Sequence, residues 1–168
     1  MVELVKGAGD FGVGVAAFPE RRPRSPDRES DIRHFVAKCR AGADRAITRM
    51  FFDAEDCLRL RDRLGAAGCD TPVVPEIMPA ADVRRIRRFA ELGNAGFPPE
   101  PARRLEAARD GPAEGHRSGV AHGTDRVRRL LAEGAPGLHC ITPNRPAAVL
   151  EIHRGAVGSR SLLDLVRG

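Results

Sequence analysis

Three times in this chain a stretch with helical periodicity runs into a glycine and is followed within a few residues by a short apolar run. The steps are Ala41-Gly42-Ala43-Asp44 before Ala46–Phe52, Ala66-Ala67-Gly68-Cys69 before Thr71–Met78, and Glu133-Gly134 before Leu138–Thr142. Glycine tolerates the left-handed backbone that ends a helix, and short apolar runs bounded by such breaks read as buried strands. A further run, Phe11–Phe18 (FGVGVAAF), precedes all three. Strands that alternate with helices are joined by right-handed crossovers into a parallel sheet. The expected fold class is therefore α/β, with about four βα units.

The helical stretches fit this alternation. From Ser30 to Arg40, Ile32, Phe35, Val36 and Cys39 fall on one stripe, while Asp31, His34 and Lys38 share a separate polar face. Ala54–Leu64 repeats the pattern with Leu58, Leu60 and Leu64, and Asp53 is placed to cap it. Asp82–Leu92 turns Val83, Ile86, Phe89 and Ala90 to one side, and Pro98–Asp110 opens on prolines as a helix can. Gly111–Gly119 is expected to be a loop, Thr124–Glu133 a helix capped by Thr124, and Ala147–His153 a last helix. Four such units are half of an eightfold barrel. With 168 residues against roughly 250 for a complete one, the chain is expected to be a partial (β/α)8 TIM barrel over residues 1–153, with a tail of uncertain structure at 154–168.

Several function classes lose ground on composition. No stretch approaches the ~20 apolar residues of a membrane span, and Met1–Lys6 is too short for a signal peptide, so a soluble cytoplasmic protein is expected. The four cysteines, Cys39, Cys57, Cys69 and Cys140, form no C-x-x-C pair and read as reduced, packed thiols. His116 and His122 are the near pair among five histidines, without further ligands around them, and no metal site is expected. The net charge of +5 invites a polyanion partner. Of the 28 basic residues only Lys6 and Lys38 are lysine, an arginine excess that reads as compositional bias. The chain also lacks Tyr and Trp, and its seven Phe do not interleave with the basic clusters as a base-stacking platform requires.

Two segments invite a phosphate reading. Gly7-Ala8-Gly9-Asp10-Phe11-Gly12 fits G-x-G-x-x-G, but it precedes a strand instead of following one and opening a helix, and reads as a helix-to-strand loop. Arg21–Ser30 (RRPRSPDRES) follows the first strand with two prolines and four arginines. It is either a solvated loop or a phosphate-binding loop at the strand's C-terminal end, where α/β folds place their chemistry.

With the strands and loops placed, five ordered motifs carry a family likeness: Ala16-Ala17-Phe18-Pro19-Glu20, Ala41–Thr48 (AGADRAIT), Phe51-Phe52-Asp53, Pro75-Glu76-Ile77-Met78-Pro79 and Thr142-Pro143-Asn144-Arg145. In order and spacing they resemble the C-terminal half of methylenetetrahydrofolate reductase, whose wording there is A-A-Y-P-E, A-G-A-x-x-x-I-T-Q-x-F-F-D, P-G-I-M-P and Y-T-L-N-R. The resemblance covers roughly Phe11 to Ile152. It implies a flavin-containing barrel in which NADH or NADPH reduces FAD, and FAD reduces 5,10-methylenetetrahydrofolate to 5-methyltetrahydrofolate.

By the same resemblance Phe18 stands beside the flavin, Asp31 near a ribose hydroxyl and Lys38 near phosphate of the cofactor. Phe89 and Arg145 match substrate-side positions, one for stacking and one as a fixed cation. There are departures. Arg22 stands where the family has histidine, Ile141 where it has an aromatic, and Arg49 and Arg85 where it has glutamines. A glutamine amide offers a donor and an acceptor to a pterin edge, whereas guanidinium offers donors only. In the family the acid that protonates the folate lies on the first strand and an aspartate near the flavin ring after the fourth. This chain begins in the helix before the fifth, so no catalytic residue is assigned to it and it is expected to be inactive alone. Activity in the isolated chain would direct attention to Glu20, Asp53 and Glu76. The alternatives are a non-catalytic half-barrel binding module that dimerises through its open edges, and a basic nucleic-acid-associated protein.

Overall fold

The structure is a computed structural model that describes residues 1–22, 24–79, 112–142, 144 and 146–158. Helix α1 (Val2–Ala8) leads through a loop to strand β1 (Gly14–Ala17), and α2 (Arg28–Arg40), β2 (Arg45–Thr48) and α3 (Ala54–Ala66) follow. Two short strands come next, β3 (Val73–Val74) and β4 (Glu76–Ile77), then α4 (Pro112–Ala132), β5 (His139–Cys140) and α5 (Ala147–Val157). Every strand pairing is parallel: β1 with β2, β2 with β3, and β4 with β5.

The glycine steps behave as the sequence requires. Gly42, Gly68 and Gly134 take φ of 104°, 68° and 80°, the left-handed region in which a Cβ is costly. The loop Gly9–Val13, which holds most of the G-x-G-x-x-G stretch, joins α1 to β1. Lys6 Nζ fixes it by donating to the Phe11 carbonyl (2.9 Å) and to both Asp44 carboxylate oxygens (2.9 and 2.7 Å).

The expected strand Pro72–Met78 is two strands because of Pro75. Proline has no N–H to give the ladder, so pairing with β2 stops at Val74. Beyond it, the Glu76 N–H donates to Thr48 Oγ1 (2.7 Å) instead of a backbone carbonyl, while the other edge pairs with β5. There His139 N–H donates to the Pro75 carbonyl and Ile141 N–H to the Ile77 carbonyl, both at 2.9 Å. One chain segment thus belongs to two sheets and holds them side by side.

Helices cover one face of these strands. Ala17 and Ala46 pack with Phe35 and Val36 of α2, Leu60 and Leu64 of α3, and Cys69. Ile77 joins Phe51, Cys57, Leu58, Val127, Leu130 and Ile152 in a second cluster. Asp53 caps α3 by accepting from the Glu55 N–H (3.0 Å), as expected.

Helix α4 corrects the sequence reading. Pro112–Gly119 is helix rather than loop, and Thr124 lies in its interior, where its hydroxyl donates to the Val120 carbonyl (2.8 Å) instead of capping anything. Further along the same helix, Gly123 lies against α5. A Cβ on Gly123 would lie 2.5 Å from Ile152 Cδ1, so a larger residue there would require the Ile152 side chain to shift. The last helix runs to Val157, past His153. The expected helices Asp82–Leu92 and Pro98–Asp110 lie outside the described residues, as do tail residues 159–168.

Candidate functional site

The chemistry-bearing side chains gather where the strands end. The β1–β2 register pairs Ala17 with Thr48 and continues one residue further, since the Arg49 N–H donates to the Ala17 carbonyl (2.7 Å), setting Phe18 beside Arg49. The β2–β3 register pairs Ile47 with Val74 and ends there, and beyond it the Arg49 charge acts on the Glu76 carboxylate. Glu76 is in turn paired with His139. Neighbours in register on parallel strands point to the same side, so Phe18, Arg49, Glu76 and His139 form a row across the face that the helices do not cover. Phe18, Glu76 and His139 are half-buried and Arg49 is exposed.

Glu76 is the electrostatic centre of the row. Burial raises its pKa above the ordinary carboxylate value, while Arg49 and His139 oppose the rise. Among the described residues no hydrogen bond or ion pair is made by its carboxylate, because its one bond uses the backbone N–H.

Phe18, Asp31 and Lys38, assigned by the resemblance to the cofactor, come together on the β1–α2 unit. Asp31 accepts from the Arg22 N–H (2.9 Å) and from the Ser25 hydroxyl (3.2 Å), so its first task is to shape the loop after β1. Lys38 Nζ donates to the Ala16 carbonyl (3.0 Å) and stands 5.3 Å from the Phe35 ring centroid. Burial lowers the Lys38 pKa and Asp31 works against that. The arginine-rich loop is partly self-bonded: Arg21 donates to the Pro26 carbonyl (3.0 Å) and Arg28 to the Pro19 carbonyl (3.4 Å). Asp27 caps α2 through the Ser30 N–H (2.6 Å), and that bond holds its pKa below the usual value. Phe89 and Arg145, the substrate-side pair, lie outside the described residues, as does Arg85.

Sequence reasoning held Glu76 only as a reserve acid beside Glu20 and Asp53, and left His139 out of the site. The available signal was register: both occupy the strand position that Phe18 and Arg49 occupy, alternating with the buried positions on either side. It also missed Arg126, which lies inside the apolar stripe of α4. There the guanidinium is buried, donates to the Phe51 (2.7 Å) and Met78 (3.4 Å) carbonyls, and is pulled down to a pKa of about 10 by burial. It ties α4 to the segments that follow β2 and β4, and so braces the mouth from behind.

A cavity of about 330 Å³ lies elsewhere, on the helix side between α3, α4 and β3, lined by Cys57, Leu64, Val73, Leu130 and Pro136 among others. It is apolar and carries none of the row's side chains. Among the described residues no group of His, Cys, Asp and Glu is arranged to hold a metal ion, and no helix is long and apolar enough to cross a membrane.

Known proteins are similar to this chain in sequence and fold. The family model of methylenetetrahydrofolate reductase matches residues 1–156. A 5,10-methylenetetrahydrofolate reductase from Pectobacterium carotovorum is 36% identical over 145 residues, covering 86% of this chain and 49% of the relative. The Escherichia coli enzyme is 35% identical over the same shares. A probable methylenetetrahydrofolate reductase (NADPH) of Caenorhabditis elegans is 32% identical over 84% of this chain and 22% of its own length. This chain therefore spans about half the length of the bacterial relatives it matches. Among solved structures, an uncharacterized protein from Clostridium thermocellum that binds two copies of 5-methyl-5,6,7,8-tetrahydrofolic acid shares the fold, with a TM-score of 0.60 at 13% identity over 92% of this chain and 56% of that one.

Proposed function

The chain belongs to the methylenetetrahydrofolate reductase family, and from that premise we propose that it supplies the C-terminal half of a (β/α)8 barrel reductase that works in the cytoplasm. The reaction is the reduction of 5,10-methylenetetrahydrofolate to 5-methyltetrahydrofolate. FAD, when bound, relays the hydride to the folate from NADH or NADPH. The barrel unit includes α5 to its end at Val157, and the tail follows it.

The donor set fits the flavin nucleotide. Lys38 spends one of its three N–H donors on the Ala16 carbonyl, which leaves the others for a phosphate oxygen. Asp31, fixed by Arg22 and Ser25, holds the loop that would lie along the nucleotide. Phe18 presents a half-exposed ring at the end of β1, where a planar ring can lie against its π face. On the folate side, Arg49, Glu76 and His139 line the same mouth, and Phe89 and Arg145 keep the stacking and cationic roles given to them above. What these residues contribute is orientation in a site shielded on its helix side, where a fixed geometry is worth orders of magnitude in rate.

The observation that carries the reading is the cross-strand row with the β1–α2 unit at its end, because it puts a ring face, cations and an acid at the strands' C-terminal ends. The test is to add FAD to the purified chain, pass it over a desalting column, and follow NADH and NADPH oxidation with menadione and with methylenetetrahydrofolate as acceptors. The same assay is run with the N-terminal half of the Escherichia coli relative added. Co-eluting flavin, with turnover appearing in the mixture, is expected. A chain that retains no flavin in either state would remove the reading.

A further inference from the structure

The row contains an acid with no partner among the described residues. The Glu76 carboxylate makes no hydrogen bond or ion pair among the described residues, although Arg49 stands on the strand to one side and His139 on the strand to the other. A half-buried carboxylate kept only for stability would be expected to close such a pair, since burial without one is unfavourable. Arg49 is exposed on the same face, and Phe18 ends the row with a half-exposed ring. The row therefore offers, in order, a π face, donors only, acceptors only, and an imidazole that can do either. Adjacent parallel strands lie about 4.8 Å apart, so the donor and acceptor groups meet the same edge of one flat ring.

Resting on the folate reading, we infer that Glu76 is a specificity-determining residue that recognises the paired N–H edge of a 2-amino-4-oxo heteroaromatic ring, while Arg49 donates to the neighbouring ring carbonyl. A ring edge of this kind presents two adjacent N–H donors followed by one oxygen acceptor. A carboxylate answers the first two in a bidentate pair and a guanidinium the third. The arginine at position 49 is thus not a loss of the acceptor that the ring needs. The acceptor stands on the next strand.

The experiment titrates the full 168-residue chain calorimetrically with 5-methyltetrahydrofolate and with its 2-desamino-2-methyl analogue. The wild-type chain should prefer the amino compound by roughly tenfold or more, the range for a hydrogen bond to a charged group. Glu76→Gln and Glu76→Ala should each bring the two affinities close together, whereas Arg49→Ala should weaken both ligands alike. In the wild-type chain the preference should also shrink on acidification as Glu76 takes up a proton, with Arg49 and His139 as the charged groups facing it; that measurement does not depend on any variant folding. A preference that survives in both Glu76 variants, or that ignores pH, overturns the assignment. Equal binding of both compounds by the wild-type chain overturns it too and leaves the folate reading standing. Binding of neither overturns both.

Discussion

On the helix-facing side of the strands, Ala17, Ala46, Thr48, Pro75 and Ile77 are buried, and Phe35, Leu60, Leu64, Val127 and Leu130 complete two continuous apolar clusters over them. One residue away along the same strands, Ala16 and Arg49 are exposed, and Phe18, Ile47, Glu76 and His139 only half-buried. The period-two alternation of a strand separates the two faces completely. One face is closed by packing and holds the fold. The other carries an aromatic ring, a cation, an acid and an imidazole in a row, and among the described residues the acid's carboxylate makes no hydrogen bond or ion pair. Packing and the polar row are thus divided between faces rather than between segments, which makes each separately breakable.

The largest effect should come from the closed face. Leu64→Ala removes a side chain that is 1% exposed and should cost about 2–5 kcal/mol in urea unfolding. Ile47→Ala, on the open face, should cost about 1 kcal/mol or less. Equal costs would mean that both faces are packed and the division is wrong. Next in size, Lys38→Ala should weaken flavin retention on a desalting column by roughly tenfold or more, the worth of a charge-assisted hydrogen bond. Unchanged flavin content would take Lys38 out of the site.

A smaller effect follows from Glu76. Its folded-state pKa is raised, chiefly by burial. A carboxyl with a raised folded pKa contributes stability while protonated, below its unfolded value, and loses it as pH rises through the folded one. Glu76→Gln should therefore raise the melting temperature at neutral pH and leave it nearly unchanged in acid below the unfolded carboxyl's pKa. A Gln variant less stable at neutral pH would show that the carboxylate is paired in solution.

Local signals were enough for the closed face. Each glycine step is a backbone requirement, and the stripes Phe35–Val36 and Leu58–Leu60–Leu64 are short-range periodicities that tertiary packing then uses. The open face was not legible in the same way, because Phe18, Arg49, Glu76 and His139 are brought side by side only by the register of four separate segments. Phe18 was found by motif; Glu76 entered only as one of three reserve acids, with Glu20 and Asp53, and not as a neighbour of Arg49 and His139. Helix α4 shows the opposite failure. Gly115, Gly119 and Gly123 lowered the local helix propensity, but packing of the helix against its neighbours outweighs it, and Gly123 sits directly under the Ile152 side chain of α5. Pro75 likewise reads as a strand boundary locally, while in the sheet it is the point where one strand changes neighbours.

The division between the faces is tested most directly by amide hydrogen exchange of the 168-residue chain, read peptide by peptide, without and with saturating 5-methyltetrahydrofolate in the presence of FAD. Slowed exchange should appear at the strand ends, in peptides covering residues 14–22, 45–52 and 138–142, with residues 57–70 of α3 and its turn unchanged. Protection centred instead on the α3–α4 cavity, around residues 57–73 and 130–136, would place the ligand on the helix side and contradict the account.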